Sequence, residues 1–347
     1  VVTCRGCTHG CTTCGGSRYA YENSFGRKQT AYRSPRLLVK DITSIQRFLN
    51  GPVFLVGDIR QSGDDYADEL LWHMKSAKVR GPLVLELFAP AGGDFFKKVS
   101  DAVPNYFIQW SPDSTDEVVR QAFGRGYSNR ELENTIQSAL ENRCKRFDLF
   151  FMTGLPRQTY GSVMANADYL NALLGDVGQL AKGRLLPFIS PLAPFLDPGS
   201  KAFENPQKYG YHLFHHTLEE HRQALKSPSW KYMLNYETEW MTKDEIVMST
   251  YEAGLAFNQL KAEHGLIARE VASEVEARAK GAIQLMRKID RIVSEHGFDC
   301  AEIQSLKQDA DKFSSSSICQ KKELHWPAVS FVRNAPRILW AFATGGD

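Results

Sequence analysis

Four of the seven cysteines of this chain lie in its opening segment, VVTCRGCTHGCTTCGGS, at positions 4, 7, 11 and 14. Cys7, Cys11 and Cys14 have the spacing C-x3-C-x2-C, so three thiolates in one loop can wrap one metal centre. An iron–sulfur cube held by three thiolates leaves one iron open for a further ligand. Zinc usually binds two well-separated C-x2-C knuckles, and a tetrahedral site with Cys4 as fourth ligand would need a tight loop. The spacing therefore favours an iron–sulfur cluster, with zinc or no metal as alternatives.

The residues around this loop carry a resemblance to a known family. A C-x3-C-x2-C loop after a first strand, followed at once by Gly15 and Gly16, resembles the radical S-adenosylmethionine superfamily. The resemblance covers roughly residues 1–200 and implies a partial (β/α)6 barrel. It also implies that Cys7, Cys11 and Cys14 hold a 4Fe–4S cluster whose open iron binds S-adenosylmethionine. Reductive cleavage of the sulfonium would release a 5′-deoxyadenosyl radical, which takes a hydrogen atom from a substrate.

The segment after the last cysteine is assigned to the cofactor by the same resemblance. Gly15, Gly16 and Ser17 stand where the family has a Gly-Gly-Glu-like segment, whose backbone contacts the methionine amino group. Glycine permits such a close approach of backbone to ligand. Ser17 replaces the usual acidic residue, but a backbone role does not need that side chain. The alternative is an ordinary turn.

Two carboxylates are placed by the predicted strands. Asp58 follows the strand predicted at residues 52–57, at the mouth where barrel sites lie; the alternative is a helix cap or a solvated loop residue. Glu86 lies inside the apolar run PLVLELF, where a carboxylate needs a partner or a cavity. We therefore expect Glu86 to face the barrel interior rather than to form a structural ion pair, and we assign both residues to the cofactor site.

The segment after the fourth predicted strand supplies further candidate residues for cofactor binding. Ser111-Pro112-Asp113-Ser114 resembles the family's strand-four segment, in which a Glu-Ser-like pair contacts the ribose, so Asp113 and Ser114 take that role. A downstream arginine commonly pairs with the cofactor carboxylate, and a bidentate pair would orient it. Arg125 has the better spacing and Arg120 is its rival. The alternative is that DSTDE only caps a helix.

Two turns later in the chain also resemble family features. Phe151-Met152-Thr153-Gly154-Leu155-Pro156 resembles a strand that ends in Gly-Leu-Pro, where the backbone of Gly154 approaches the adenine. The turn Asp197-Pro198-Gly199-Ser200 resembles the proline–glycine turn after strand six. The resemblance implies that this turn shapes the substrate side.

Short apolar runs alternate with amphipathic stretches through the first two thirds of the chain. Six runs are predicted as strands, at residues 1–3, 52–57, 82–88, 105–110, 147–152 and 184–189. Continuous apolar runs indicate strands covered on both faces, as in a parallel sheet or barrel. One of the predicted helices opens with a capping box of Ser128 and Glu131. We therefore predict an α/β fold, with a partial (β/α)6 TIM-like barrel at residues 1–200 and a mainly helical extension at 201–347 that packs on it.

Composition narrows the class of protein. The chain has 42 Lys and Arg against 40 Asp and Glu, too balanced to indicate a nucleic-acid or membrane partner. No apolar run approaches the ~20 residues of a membrane span, and no signal peptide is visible. An odd number of cysteines, four of them crowded, does not suggest a disulfide framework, so we expect a cytoplasmic protein. The chain lacks an initial Met, from which we expect the natural protein to begin earlier.

The remaining metal-ligating residues are weaker candidates. His212, His215 and His216 have helical spacing in HLFHHTLEEH, but without an obvious carboxylate partner we expect packing rather than metal binding. Cys4 is interpreted as a spare thiol on the first strand, with a cluster-ligand role as the alternative. The other cysteines are too dispersed to predict a second cluster; they are Cys144, Cys300 and Cys319.

These observations predict an iron–sulfur enzyme that uses S-adenosylmethionine. The S-P-D-S and F-G-R-G-Y segments most resemble the group often fused to an upstream cobalamin-binding domain. This resemblance implies cobalamin as a cofactor from outside this chain, with methyl transfer or a related rearrangement as the reaction. The alternatives are a radical enzyme without cobalamin that inserts sulfur or rearranges a small molecule, and a non-catalytic zinc-knuckle binding protein. The family also implies an electron donor such as flavodoxin or ferredoxin. The sequence does not identify the substrate.

Overall fold

The computed structural model describes most of the chain. It covers residues 1–48, 51–191, 195–298, 301–303, 305–306, 319–324, 335–336, 339–340 and 343. Cys300 lies outside the described residues, as does most of the predicted extension beyond residue 306.

A five-stranded parallel sheet forms the centre of the molecule, and its strands are hydrogen-bonded in chain order. The strands of this sheet are Val53–Leu55 (β3), Leu83–Leu87 (β4), Tyr106–Asp113 (β5), Phe147–Thr153 (β6) and Leu185–Pro191 (β7). The start of the chain adds a parallel bridge from Val2 to Val56, and Val56 N donates to Val1 O over 3.0 Å. The six predicted runs therefore follow one another side by side. Two shorter strands, Cys4–Arg5 (β1) and Ala31–Tyr32 (β2), pair antiparallel next to this bridge.

Helices connect consecutive parallel strands, and the predicted α/β fold class is confirmed. The helices are Arg18–Ser24 (α1), Pro35–Phe48 (α2), Asp64–Ser76 (α3), Gly93–Ala102 (α4), Glu117–Phe123 (α5), Asn129–Glu141 (α6), Tyr160–Ala181 (α7), Lys201–Glu204 (α8), Leu218–Ala224 (α9), Trp230–Met233 (α10), Lys243–Glu263 (α11), Arg269–His296 (α12) and a last turn at Lys321–Leu324. The predicted capping box of Ser128 and Glu131 is present at the start of α6. Most residues of these strands are buried, which explains why the strands read as continuous apolar runs.

The region after residue 200 is mainly helical, as predicted, and α11 packs against β7 and α7. Phe257 of α11 meets Phe151 of β6 edge-on, with ring centroids 5.7 Å apart. Buried residues before and after residue 200, such as Leu196 and Ala202, belong to one continuous core. The domain boundary at residue 200 stays a prediction.

The histidine segment does not adopt the helix that its spacing would allow. The segment HLFHHTLEEH does not place its histidines on a helix, because Tyr211–Leu213 is a strand (β8) that pairs antiparallel with Tyr236–Thr238 (β9). Thr217 then caps α9, with its hydroxyl and Glu220 forming a capping box. The capping box of Thr217 and Glu220 marks the start of a helix, so the histidines before it lie outside that helix despite their helical spacing. None of the described helices is long and apolar enough to cross a membrane.

Candidate functional site

The cysteine loop is anchored to the end of α5. Thr12 N donates to Phe123 O over 2.8 Å, and its hydroxyl donates to Ala122 O over 2.9 Å. Gly124, which ends α5, has φ +108°, and a Cβ there would lie 3.2 Å from Gly10 O. Only glycine adopts this conformation readily while allowing so close an approach. The loop is thus held by the element that follows β5.

The three thiols of the C-x3-C-x2-C spacing lie close enough to influence one another. Burial raises the pKa of Cys7, and the charges of Cys11 and Cys4 raise it further. Burial raises the pKa of Cys14 to about 11, with Cys11 and Cys7 contributing to the same increase. No disulfide links the cysteines of the described residues. Three free thiols whose thiolate forms repel one another are suited to share a cationic centre.

Backbone and side-chain donors surround these sulfurs. The N–H groups of His9 and Gly16 point to the Sγ atoms of Cys7 and Cys14, at 3.4 and 3.3 Å. Burial raises the pKa of the Cys11 thiol, and the charge of the nearby Arg125 guanidinium lowers it in part. Such donors stabilise thiolates. They also tune the reduction potential of a cluster that the thiolates bind.

A cavity of about 310 Å³ opens beside Cys11 and Cys14, at the carboxyl ends of the parallel strands. Its polar lining residues include Glu86, Gln109, Ser111, Asp113, Arg125 and Asp197. Its apolar lining residues include Phe88, Phe123, Phe150, Met152, Phe195 and Leu196. This is the end of the sheet at which α/β barrels carry their sites. In the described part of the chain, no three His, Cys, Asp or Glu side chains converge to hold a single metal ion.

Asp113 and Arg125 form a buried ion pair in this cavity. Arg125 Nε lies 2.9 Å from Asp113 Oδ2, and the two side chains are 11% and 1% exposed. Arg125 Nη1 also donates to Phe88 O over 3.1 Å. Burial raises the pKa of Asp113 to about 6, partly offset by Arg125 and Arg120. Neither Asp113 oxygen, nor Arg125 Nε, has a well-aligned hydrogen bond despite the short distance. Both side chains line the cavity, so the pair is placed to meet a polar ligand there.

The backbone at Asp113 is also unusual, because its φ is +72°. A non-glycine residue in the left-handed region is uncommon and stores of order 1 kcal/mol or more, and such residues gather at functional sites. The register of β5 against β6 shifts between Trp110 and Asp113. This irregularity redirects the end of the strand towards the cavity.

Arg120, the alternative candidate for the cofactor carboxylate, uses its guanidinium in hydrogen bonds within the protein. Its side chain is fully buried and donates to Tyr127 O, Ser114 O and Asn129 Oδ1, each over 2.9 Å. Ser114 accepts a hydrogen bond from Asp116 N over 3.1 Å. The alternative interpretation of DSTDE also applies here, because Asp116 caps α5. Ser114 therefore helps to hold the segment next to Asp113 in place through these hydrogen bonds. Its predicted contact with the ribose stays a prediction.

The two strand-associated carboxylates differ in what they can offer a ligand. Glu86 lines the cavity and accepts from Gly57 N over 2.6 Å, and burial raises its pKa. Asp58 accepts from Arg60 N, Nε and Nη2 and from Phe88 N. These four bonds fill the acceptor positions of a carboxylate. Asp58 thus ties the loop after β3 to the loop after β4, and its predicted cofactor role stays a prediction.

The predicted glycine segment contacts the turn after β7. Gly15 N donates to Asp197 Oδ2 over 2.9 Å, and Ser17 caps α1 by accepting from Ala20 N. Lys201 Nζ donates to Gly10 O over 2.7 Å, so the same region holds the cysteine loop from a second side. The Asp197 turn, expected on the substrate side, therefore also supports the loop.

Adding a methyl group should distinguish the two glycines of this segment. A Cβ at Gly15 would lie 2.8 Å from Asp197 Cβ, whereas one at Gly16 would meet Cys14 Sγ at 3.6 Å. We expect Gly15→Ala to lower the free energy of unfolding by about 1–3 kcal/mol, as overpacking does. Gly16→Ala should change it by less than about 0.5 kcal/mol, because 3.6 Å is an ordinary contact. Urea unfolding of both variants measures the difference. An equal decrease in the free energy of unfolding in the two variants would contradict the close packing at Gly15.

Gly154 lies under the β8–β9 hairpin. Its φ is +88°, and a Cβ there would be 2.6 Å from the Tyr236 hydroxyl. Tyr211 donates to Gly154 O over 2.9 Å, and Gly154 N donates to Gln158 Oε1 over 2.8 Å. The glycine is thus required for packing of the two tyrosines, while its predicted approach to the adenine stays a prediction.

Sequence reasoning missed two polar side chains of this region. Gln61 Oε1 accepts from Thr8 N at 3.0 Å and from Cys7 Sγ at 3.3 Å, and so supports the first thiol. Gln109 lines the cavity together with Ser111 and Asp113. Alternate residues of a strand share a face, so the i, i+2, i+4 spacing of these three was the available signal.

Comparison with known proteins adds distant structural likenesses. No protein-family model matches the chain, and no curated protein matches it. TsrM from Kitasatospora setae, a radical S-adenosylmethionine methyltransferase solved with cobalamin and a [4Fe–4S] cluster, has 15% identity and a TM-score of 0.46 over 61% of this chain and 38% of its own. OxsB, a cobalamin-dependent S-adenosylmethionine radical enzyme, has 12% identity and a TM-score of 0.47 over 91% and 50%. The chain is similar to radical S-adenosylmethionine enzymes.

A third similar structure is HydG, a maturase of the [FeFe]-hydrogenase, with 10% identity and a TM-score of 0.42 over 90% of this chain and 81% of its own. The chain spans 38% of TsrM and half of OxsB. All three likenesses are distant.

Proposed function

We propose that the chain is a radical S-adenosylmethionine enzyme whose 4Fe–4S cluster is bound by Cys7, Cys11 and Cys14. One observation carries the proposal: two of these thiols and the buried Asp113–Arg125 pair line the same cavity at the carboxyl ends of the sheet. Soft thiolates suit iron–sulfur clusters. When bound, the cluster supplies the electron that cleaves S-adenosylmethionine reductively and starts radical chemistry.

The residues of the chain fit such a pair of cofactors. Both residues line the cavity, so Arg125 offers a guanidinium to the cofactor carboxylate and Asp113 offers acceptors to hydroxyl groups. Glu86 is a second acceptor at the same wall. The phenyl rings of Phe88, Phe123 and Phe150 give the same cavity an apolar lining that would favour exclusion of water once a ligand is bound. Exclusion of water strengthens each of these electrostatic contacts.

Further parts of the proposal extend beyond this cavity. We propose cobalamin-dependent methyl transfer as the reaction, on the S-P-D-S and F-G-R-G-Y segments alone, with cobalamin held by a domain outside this chain. Radical chemistry without cobalamin is the second candidate. An electron donor such as flavodoxin or ferredoxin and a cytoplasmic location complete the proposal.

Anaerobic reconstitution with iron and sulfide tests the proposed enzyme class. We expect brown protein with about four irons per chain, and 5′-deoxyadenosine after reduction with dithionite in the presence of S-adenosylmethionine. Metal analysis and chromatography of the reaction give both readouts. Colourless protein that retains one zinc would overturn the proposal in favour of a zinc-stabilised binding protein.

A further inference from the structure

The cysteine loop has a second open side. Cys11 and Cys14 line the cavity described above, whereas Cys7 lines another cavity of about 320 Å³. Arg18, Arg27 and Lys28 line this second cavity. The three thiols therefore separate two openings, one of which is rich in carboxylate and aromatic groups and the other in cations.

Positive charge is concentrated in the segment of the chain that lines this second opening. Residues 1–40 contain seven Lys and Arg but one acidic residue, Glu22, although the whole chain has 42 basic and 40 acidic residues. The basic face is defined here as Arg5, Arg18, Arg27 and Lys28, all exposed. So uneven a distribution in a nearly neutral chain produces a local field that attracts anionic partners.

The cations of the basic face are available for a partner. Within the described residues, Arg5, Arg27 and Lys28 have no acidic group within salt-bridge distance, and Arg18 is 3.9 Å from Glu22. Phe25 adds an apolar group, since it is 64% exposed while its ring contacts Tyr21 at 5.4 Å. Arginine and aromatic side chains are enriched at protein interfaces, so this face suits a protein partner.

We propose that the basic face docks a small electron-carrier protein with an acidic surface, and that Cys7 is the ligand nearest to the incoming electron. The inference rests on the proposed function, because reductive cleavage consumes one electron that neither S-adenosylmethionine nor the chain supplies. The carrier is oxidised by one electron, the cluster is reduced by one, and no proton moves with it. Redox partners form small interfaces that electrostatic attraction assembles quickly.

The second side of the loop suits this role because it is separate from the cofactor cavity. An electron carrier seated there would leave the opening beside Cys11 and Cys14 free for S-adenosylmethionine and substrate. Gln61 keeps Cys7 in position from the barrel side, through its contacts to Cys7 and Thr8. The docked carrier and the cofactor would thus approach one cluster from different directions.

Charge reversal tests the docking surface. The variant Arg27→Glu/Lys28→Glu reverses two exposed cations that are not placed in the cofactor site. Arg287→Glu/Lys288→Glu on α12 makes the same change at two other exposed residues and is the matched control. The probe is photoreduced flavodoxin, mixed with reconstituted protein in a stopped-flow instrument at several salt concentrations. We expect the rate constant for cluster reduction at low salt to fall at least about tenfold in the first variant and not in the control.

Three further measurements separate the possible outcomes. Calorimetric binding of flavodoxin should weaken in the Arg27/Lys28 variant, and Arg27→Lys/Lys28→Arg should bind like wild type because it keeps the charges. The final yield of 5′-deoxyadenosine with dithionite should be unchanged. Equal flavodoxin kinetics in wild type and in the reversed variant would overturn the docking proposal alone. Failure of wild type to form a cluster or to cleave S-adenosylmethionine with dithionite would overturn the proposed function and this inference with it.

A small-anion site is the remaining alternative, and inorganic pyrophosphate is its probe. If the reversed variant loses binding of pyrophosphate but reacts normally with flavodoxin, the basic face is a small-anion site and the docking proposal is wrong. If flavodoxin binding is lost and pyrophosphate does not bind wild type, the docking proposal is supported.

Discussion

Replacing any one of Cys7, Cys11 and Cys14 with Ala is expected to remove the iron–sulfur cluster and all cleavage of S-adenosylmethionine. A cluster that leaves one iron open depends on all three protein thiolates. The structure places these thiols within electrostatic reach of one another, with Cys11 and Cys14 beside the cofactor cavity. Iron should fall from about four per chain to less than one, with loss of the brown absorption and of 5′-deoxyadenosine.

Two other cysteines provide matched controls. The Cys4 thiol donates to Gly6 O over 3.4 Å, and the Cys144 thiol is fully buried and donates to Arg146 O over 3.1 Å. Cys4→Ala and Cys144→Ala should keep the cluster and the cleavage activity. Far-UV circular dichroism should show that all five variants are folded. If Cys4→Ala loses the cluster while Cys7→Ala, Cys11→Ala or Cys14→Ala retains it, the assigned ligand set is wrong.

The sheet could be predicted because burial on both faces leaves a simple pattern in the sequence. Most residues of each parallel strand are buried, so each strand is an apolar run bounded by polar turns. The run PLVLELF shows this directly, since Glu86 is the one residue of β4 that is not fully buried. The same residue lies at the cavity, where the apolar environment of a charged side chain was the signal.

The end of β5 could not be predicted from such patterns. The strand continues through Pro112 to Asp113, although proline is rare within sheets and argues for a strand end. The register shift after Trp110 accommodates it. The sequence prediction ended this strand at residue 110. It therefore did not show that Gln109, Ser111 and Asp113 are alternate residues of one strand and line the same cavity. Local rules failed at the residues that form the candidate site, where strained backbone is common.

The two candidate arginines show a second limit of sequence reasoning. Arg120 and Arg125 are five residues apart, and spacing alone ranks them only weakly. The deciding feature is Gly124, whose left-handed conformation ends α5 and turns the chain before Arg125. Arg120 remains inside the helix, over the Tyr127 ring at 4.7 Å, whereas Arg125 reaches the cavity.

Replacing Arg125 with Leu is expected to weaken S-adenosylmethionine binding at least about tenfold, or 1.4 kcal/mol. Among the lining residues of the cofactor cavity, Arg125 carries the positive charge. The change also leaves Asp113 buried without its partner, which should lower the free energy of unfolding by about 3–5 kcal/mol. Asp113→Asn in the same chain removes that charge and should restore part of the stability but none of the affinity. Equilibrium dialysis and urea unfolding measure the two effects.

Arg120→Leu is the matched control, because it removes a buried arginine from the same segment. Its three acceptors are neutral, so their loss of a donor should cost about 1–3 kcal/mol of stability. The affinity of folded protein for S-adenosylmethionine should change by less than about threefold. Arg125→Lys keeps the positive charge but loses the planar guanidinium, which can bind a carboxylate through two hydrogen bonds. If such a bidentate contact orients the cofactor carboxylate, this variant should bind S-adenosylmethionine with an affinity between those of wild type and Arg125→Leu. If Arg120→Leu weakens binding more than Arg125→Leu does, the roles assigned to the two arginines must be exchanged, because affinity follows the residue that contacts the cofactor.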